Sequence, residues 1–179
     1  LSAVQCARGA ITLECCTVAD NESCGINCEN AKSSQYFLHV RNTIVFGHED
    51  DLVNCEAVNP SGNSCSCLEF ANVLLPTGVE DYQKVKHTDN SVVYAKACSG
   101  MVDAASAGFK NAEKGRYTLT YDSAAVDKAV SLWWMDLDGA TDLAGNPRIS
   151  KSVRKGEVLP DIGCYELGCY TPCLMLMVR

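Results

Sequence analysis

Short alternating apolar runs, polar turns between them and an internal repeat of 27 residues predict an all-β fold. It reads as a parallel β-helix of few coils with an irregular C-terminal capping segment. The runs are Ala10-Ile11-Thr12-Leu13, Tyr36-Phe37-Leu38-His39-Val40 and Asn42-Thr43-Ile44-Val45-Phe46-Gly47. Turn formers follow at Ala19-Asp20-Asn21-Glu22-Ser23 and Asn59-Pro60-Ser61-Gly62-Asn63. In the repeat, Ile26-Asn27-Cys28-Glu29 recurs as Val53-Asn54-Cys55-Glu56. The same shift lays Cys16-Thr17-Val18 on Thr43-Ile44-Val45, and Asn21-Glu22 on His48-Glu49. A coil of such a solenoid buries its apolar face only by stacking on the next. Inward ladders of Val, Ile, Leu and Cys are therefore expected.

Residues 1–77 read as coils, 78–107 as an excursion or irregular insertion, and 108–179 as a C-terminal coil and cap. The stretch 100–115 has a helix-compatible composition interrupted by glycine. Arg116-Tyr117-Thr118-Leu119-Thr120 reads as a strand. Ser123 is placed to N-cap a short helix over 123–130. Residues 162–165 and 174–178 read as terminal strands.

With 179 residues, 47% apolar and 21% charged, the chain can bury a core without help. Its 15 basic and 22 acidic residues leave a net charge of −7. That excludes sequence-independent nucleic-acid binding, which needs cations against phosphates. No apolar run approaches the ~18 residues of a membrane helix. The chain starts at Leu1 without a basic and then apolar leader, so it is expected to begin inside a longer protein or after processing. Its 12 cysteines suit an oxidised extracellular protein with a mixture of disulfides and buried thiols. The spacings Cys24-x3-Cys28, Cys65-x-Cys67 and Cys169-x3-Cys173 only loosely resemble metal-ligand patterns, and no CxxC pair occurs.

A family resemblance covers most of the chain and is strongest after Gly108. Its phrases are Gly108-Phe109-Lys110-Asn111-Ala112, Gly115-Arg116-Tyr117-Thr118-Leu119, Ser123-Ala124-Ala125-Val126-Asp127, Asp142-Leu143-Ala144-Gly145-Asn146-Pro147-Arg148-Ile149 and Asp161-Ile162-Gly163-Cys164-Tyr165-Glu166. In this order they resemble the C-terminal end of bacterial right-handed parallel β-helix proteins of the choice-of-anchor and polymorphic outer-membrane type. Asn42-Thr43-Ile44-Val45-Phe46-Gly47 is similar to a coil of the same family. Ala124 stands where proline is usual, Lys128-Ala129 where Ala-Gly is, and Cys164 where a small residue is. The resemblance implies a right-handed coil, a large secreted or surface-displayed parent protein, and a role in adhesion or carbohydrate contact. It implies no enzyme activity.

Within the matched phrases, Asp127, Asp142, Arg148, Asp161 and Glu166 are expected to form a structural cap. An arginine between carboxylates makes charge-assisted, often bidentate bonds. Such a network would hold the final loop over an exposed apolar coil end. No cofactor is implied. Calcium is the one ion with candidate ligands, at Asp136, Asp138 and Asp142, although Pro147 occupies the position an EF-hand gives to glutamate. Trp133 and Trp134 are candidates for stacking on a sugar, with one of the pair expected to be buried. His48, Asp50 and Asp51 are the candidates for catalysis, since inverting glycosidases need carboxylates roughly 6.5–9.5 Å apart. A solvated acidic turn is the simpler reading. His39 and His87 read as packed or solvated.

These features predict a non-catalytic extracellular or cell-surface module, the C-terminal part of a larger protein, that contacts a surface glycan or protein partner. A polysaccharide-active lyase or hydrolase is the first alternative. A subunit that stacks on another protein, or on itself, through its N-terminal coil end is the second.

Overall fold

The computed structural model describes residues 2–6, 9–28, 36–53, 57–58, 67–79, 85–86, 96–149 and 159–167. The expected turn at 59–63, the strand at 174–178 and His87 lie outside them.

The described chain is all-β and its large sheets are parallel. One sheet holds β1 (Ser2–Cys6), β4 (Cys24–Cys28) and β7 (Asp50–Val53). A second holds β2 (Gly9–Glu14), β5 (Tyr36–Arg41), β9 (Cys67–Ala71) and β12 (Lys96–Ser99). The third holds β3 (Thr17–Ala19), β6 (Ile44–Phe46), β10 (Leu74–Pro76) and β13 (Val102–Ala104). The chain thus visits the three sheets in turn and returns to each. β8 (Ala57–Val58) and β11 (Val85–Lys86) pair in parallel. β14 (Phe109–Asn111) and β15 (Arg116–Leu119) pair antiparallel around a 3-10 turn at Ala112–Lys114. No helix among the described residues is long and apolar enough to cross a membrane.

Alternation within each strand sends one set of side chains to a shared core. Val4, Ile26 and Leu52 align across the first sheet. Leu13, Val40 and Phe70 align across the second, and Val18 and Val45 across the third. One apolar cluster joins Cys6, Ile26, Leu38, Val40, Val45, Phe70 and Leu75, so all three sheets contribute to it.

The 27-residue shift is the register of β3 with β6, where Thr17 lies beside Ile44 and Val18 beside Val45. Between β4 and β7 the register is one residue shorter. Ile26 lies beside Leu52 and Asn27 beside Val53, so the likeness of the Ile26 and Val53 phrases is out of step with the pairing. A one-residue slip exchanges the faces of a strand. Pairing Ile26 with Leu52 keeps two buried side chains in one core.

Three further expectations are corrected. Residues 96–104, expected within an excursion, supply β12 and β13, which extend two parallel sheets. Their short, small-residue strands carry too little alternation to read as such. The expected helix over 123–130 is a set of turns. Ser123 Oγ does accept the Ala125 N–H at 3.2 Å, but Asp127 adopts φ +57° and ends the turn. Residues 162–165 form no strand. They bond irregularly, Ile162 N–H to Ala125 O at 3.0 Å and Gly163 N–H to Asn42 O at 2.9 Å.

The described residues of the C-terminal segment pack on the outward face of the third sheet, whereas the sequence reading places them over the end of a stack. Val45 points to the shared core, while its neighbour Ile44 points the other way. Ile44 and Leu74, with Phe46 and Val102 beside them, form a second apolar cluster with Leu119, Val126 and Ile162. Gly163 is seated tightly on this face, since a Cβ there would stand 2.9 Å from Ile44 Cδ1.

A corner residue in the left-handed region links the second sheet to the third on each pass: Cys15, Asn42, Asn72 and Gly100. Asparagine tolerates this conformation better than most residues. Asn42 is fully buried; its Nδ2 donates to Val130 O at 2.7 Å and its Oδ1 accepts the Val130 N–H at 3.0 Å. Asn72 Nδ2 donates to Lys128 O at 2.8 Å. These amides tie the strands to the flanking segment. Asn42→Gly keeps the left-handed corner and removes only the amide. Denaturant unfolding should show a loss of about 1–3 kcal/mol, with faster hydrogen exchange over 126–130; unchanged stability would show that Asn42 does not hold the segment.

Candidate functional site

The outward positions of β5 and β9 carry charge. His39 and Glu69 are register partners, and Arg41 lies two residues on from His39, on the same face. His39 Nδ1 is 2.7 Å from Glu69 Oε2. Arg41 grips the same carboxylate through Nε at 3.2 Å and Nη2 at 2.9 Å. Arg41 Nη1 also lies 3.7 Å from Glu14 on β2. The Arg41 hydrogen bonds hold the Glu69 carboxyl below the usual glutamate range, and Glu69 in turn raises Arg41. Glu14 then reaches the flanking segment, where its Oε2 accepts the Trp134 Nε1–H at 3.0 Å.

Trp134 is therefore half-buried and fixed, while Trp133 beside it is 80% exposed. An exposed indole presents an apolar face and a single N–H donor to solvent. Sequence reasoning missed Glu14, Arg41 and Glu69 as a group. Carrying the 27-residue repeat onward from His39 lands on Ser66, whereas the pairing of β5 with β9 skips 30 residues.

The turn candidates behave differently. His48 and Asp51 come together, with Nδ1 to Oδ1 at 2.7 Å, and both side chains are buried. His48 Nε2 lies 2.9 Å from the amide nitrogen of Asn21, which also donates to Ala19 O at 3.2 Å. That amide is a donor, so Nε2 accepts and the imidazole proton sits on Nδ1, facing Asp51. Tautomers of this kind are assigned from the bonding network. Both ring nitrogens are thus occupied within the fold. Asp50 is exposed, and its N–H donates to Ser23 O at 3.1 Å.

The matched phrases converge on one buried cluster. Arg148 Nη1 donates to Gly163 O at 2.9 Å and to Glu166 Oε1 at 3.1 Å. Glu166 Oε2 accepts the Asp161 N–H at 2.9 Å. Asp161 accepts from the backbone of Asp127 at 2.7 Å and of Leu167 at 2.6 Å. Asp142 accepts from the backbone of Ala144, Asn146 and Glu166 and from the Asn146 side chain, at 2.7–2.9 Å. Asp127 thus joins through its backbone. The carboxylate oxygens of Asp142 face N–H donors, while Asp136 and Asp138 are exposed. No three His, Cys, Asp or Glu side chains among the described residues could together hold a metal ion.

Compared with known protein families, curated proteins and solved structures, the chain matches none.

Burial sets the electrostatics of the cluster. It pushes Glu166 up to about 8, helped by the negative Asp161, against the pull of the Asp161 N–H and Arg148. Burial raises Asp161 too, against its two N–H donors. Burial also works on Asp142, but the Asn146 side chain and three backbone N–H groups outweigh it and lower its pKa. The folded chain therefore holds the Glu166 proton more tightly than the unfolded chain. That contribution to stability is full below about pH 4.5 and is lost as pH rises through about 8. Asp142 has the opposite sign, contributing above pH 3.8 and losing this as pH falls. The unfolding free energy should fall between pH 5 and pH 8 by on the order of a few kcal/mol, read as a falling midpoint in thermal unfolding. Glu166→Gln should flatten this slope; a slope unchanged in that variant would show that Glu166 is not its source.

Proposed function

We propose that the chain is a non-catalytic, extracellular or cell-surface module, the C-terminal part of a larger protein, built as a right-handed parallel β-helix. Its flank contacts a glycan. Support for the coil comes from three sheets that the chain visits in turn, sharing one core. Right-handed crossovers are the rule for parallel strands within one sheet. Support for the surface-protein reading comes from the family phrases, whose polar residues meet in the Arg148 cluster.

The observation that carries the glycan reading is Trp133, 80% exposed, beside a Trp134 that Glu14 holds in place. From Glu14, which holds Trp134, a row of donors and acceptors continues through Arg41 to Glu69 and His39. A net charge of −7 disfavours polyanions, so the expected ligands are neutral sugars. Catalysis fits less well. A general acid needs a raised pKa, and Arg41 lowers that of Glu69. His48, whose ring nitrogens both bond within the fold, offers no free base.

Self-association is a second reading, favoured by one observation. β1, β2 and β3 are all end strands of their sheets, so each presents an edge with no strand on it among the described residues.

Titration of the purified chain with neutral oligosaccharides should give saturable binding that Trp133→Ala weakens about tenfold or more, an effect of about 1.4 kcal/mol. Equal binding by wild type and variant, with native circular dichroism in both, would remove Trp133 from the site. If edges drive assembly, sedimentation velocity should resolve larger species that dissociate on dilution; a single monomeric species at every concentration would sink that second reading.

A further inference from the structure

Gly163 and Cys164 touch the first pass of the chain through the sheets. The Cys164 N–H donates to Thr17 Oγ1 at 3.1 Å, across 147 residues of sequence. A Cβ on Gly163 would stand 2.9 Å from the same hydroxyl. Cys16 immediately precedes Thr17, and its backbone is held from both sides. Its N–H donates to Thr43 Oγ1 at 3.3 Å, and its carbonyl accepts the Ile44 N–H at 2.9 Å. The Cys164 carbonyl accepts the Leu143 N–H at 3.0 Å. Two partly exposed thiols are thus fixed on neighbouring stretches, one on the sheet and one on the flanking segment.

We propose that Cys16 and Cys164 are a redox latch, which a small-molecule disulfide oxidises to a bond tying the C-terminal segment to the first strands. Two other facts agree with this pairing. A charge on Cys164 is felt at Cys16, raising its pKa together with the larger effect of burial. Cys15 is a poor competitor, because it is buried and its pKa is raised to about 11, mainly by that burial.

The chemistry is two thiol–disulfide exchanges. One protein thiol gives its proton to solvent, attacks the oxidant and forms a mixed disulfide, releasing one small thiolate. The second protein thiol loses its proton in turn and attacks the protein sulfur of that mixed disulfide, releasing the other small thiolate. The two thiolates take up the two protons. The protein loses two electrons and the oxidant gains two, so one S–S bond forms for the one that breaks. The closed loop spans nearly the whole described chain, the case in which a cross-link restricts the unfolded ensemble most. The latch requires no ligand and stands independently of the glycan reading.

The test treats the full wild-type chain, native and without denaturant, with oxidised glutathione, and maps unreduced peptides by mass spectrometry. A peptide pair joining Cys16 to Cys164 is expected, reversible by reductant. Hydrogen exchange over 159–167 should slow about tenfold or more on oxidation. Cys164→Ser should lose both effects. Cys164 found joined to another cysteine, halted as a glutathione adduct, or still a thiol at high oxidant would each overturn the proposal. The wild-type map decides this even if the variant folds poorly.

Discussion

A sheet with apolar side chains on both faces has to be covered on both faces. The sheet of β3, β6, β10 and β13 is under that constraint. Val18 and Val45 face the shared core, and Ile44 and Leu74 face the opposite way, with Phe46 and Val102 beside them. The cover is the C-terminal segment, through Leu119, Val126 and Ile162. Its placement follows from this: Gly163 is seated against Ile44 on that face, Asn42 holds Val130 from the adjoining corner, and Trp134 reaches Glu14 on the second sheet.

The cover is largely loop, so it cannot satisfy its own backbone through regular pairing. The carboxylates do much of that work. Asp142, Asp161 and Glu166 each accept backbone N–H groups, and Arg148 bonds both a carbonyl and a carboxylate. Burial raises two of the three, Asp161 and Glu166, and a negative neighbour adds to the rise at each. The network's charges have left water, so the loss of hydration offsets much of their mutual attraction.

The exposure of Trp133 and the approach of Cys164 to the first strands are both consequences of that docking. Trp133 stands out because its neighbour is anchored on the strands. Cys164 meets Thr17 because Gly163 lets the loop lie flat.

What the sequence by itself determined is local or nearly so. Alternation marked β2, β5 and β6, and the 27-residue shift predicted the pairing of Thr17 with Ile44. The phrases after Gly108 singled out Arg148, Asp161 and Glu166, which bond to one another or to one another's backbones. The tertiary structure alone decided the rest. Between β5 and β9 the spacing grows to 30, so the meeting of His39, Arg41 and Glu69 has no signature at a fixed interval. The choice of flank over end turned on the second apolar face of β6 and β10, which a buried strand does not reveal. In three-residue strands such as Ile44-Val45-Phe46 every position is apolar, and apolarity alone does not say which side each residue faces.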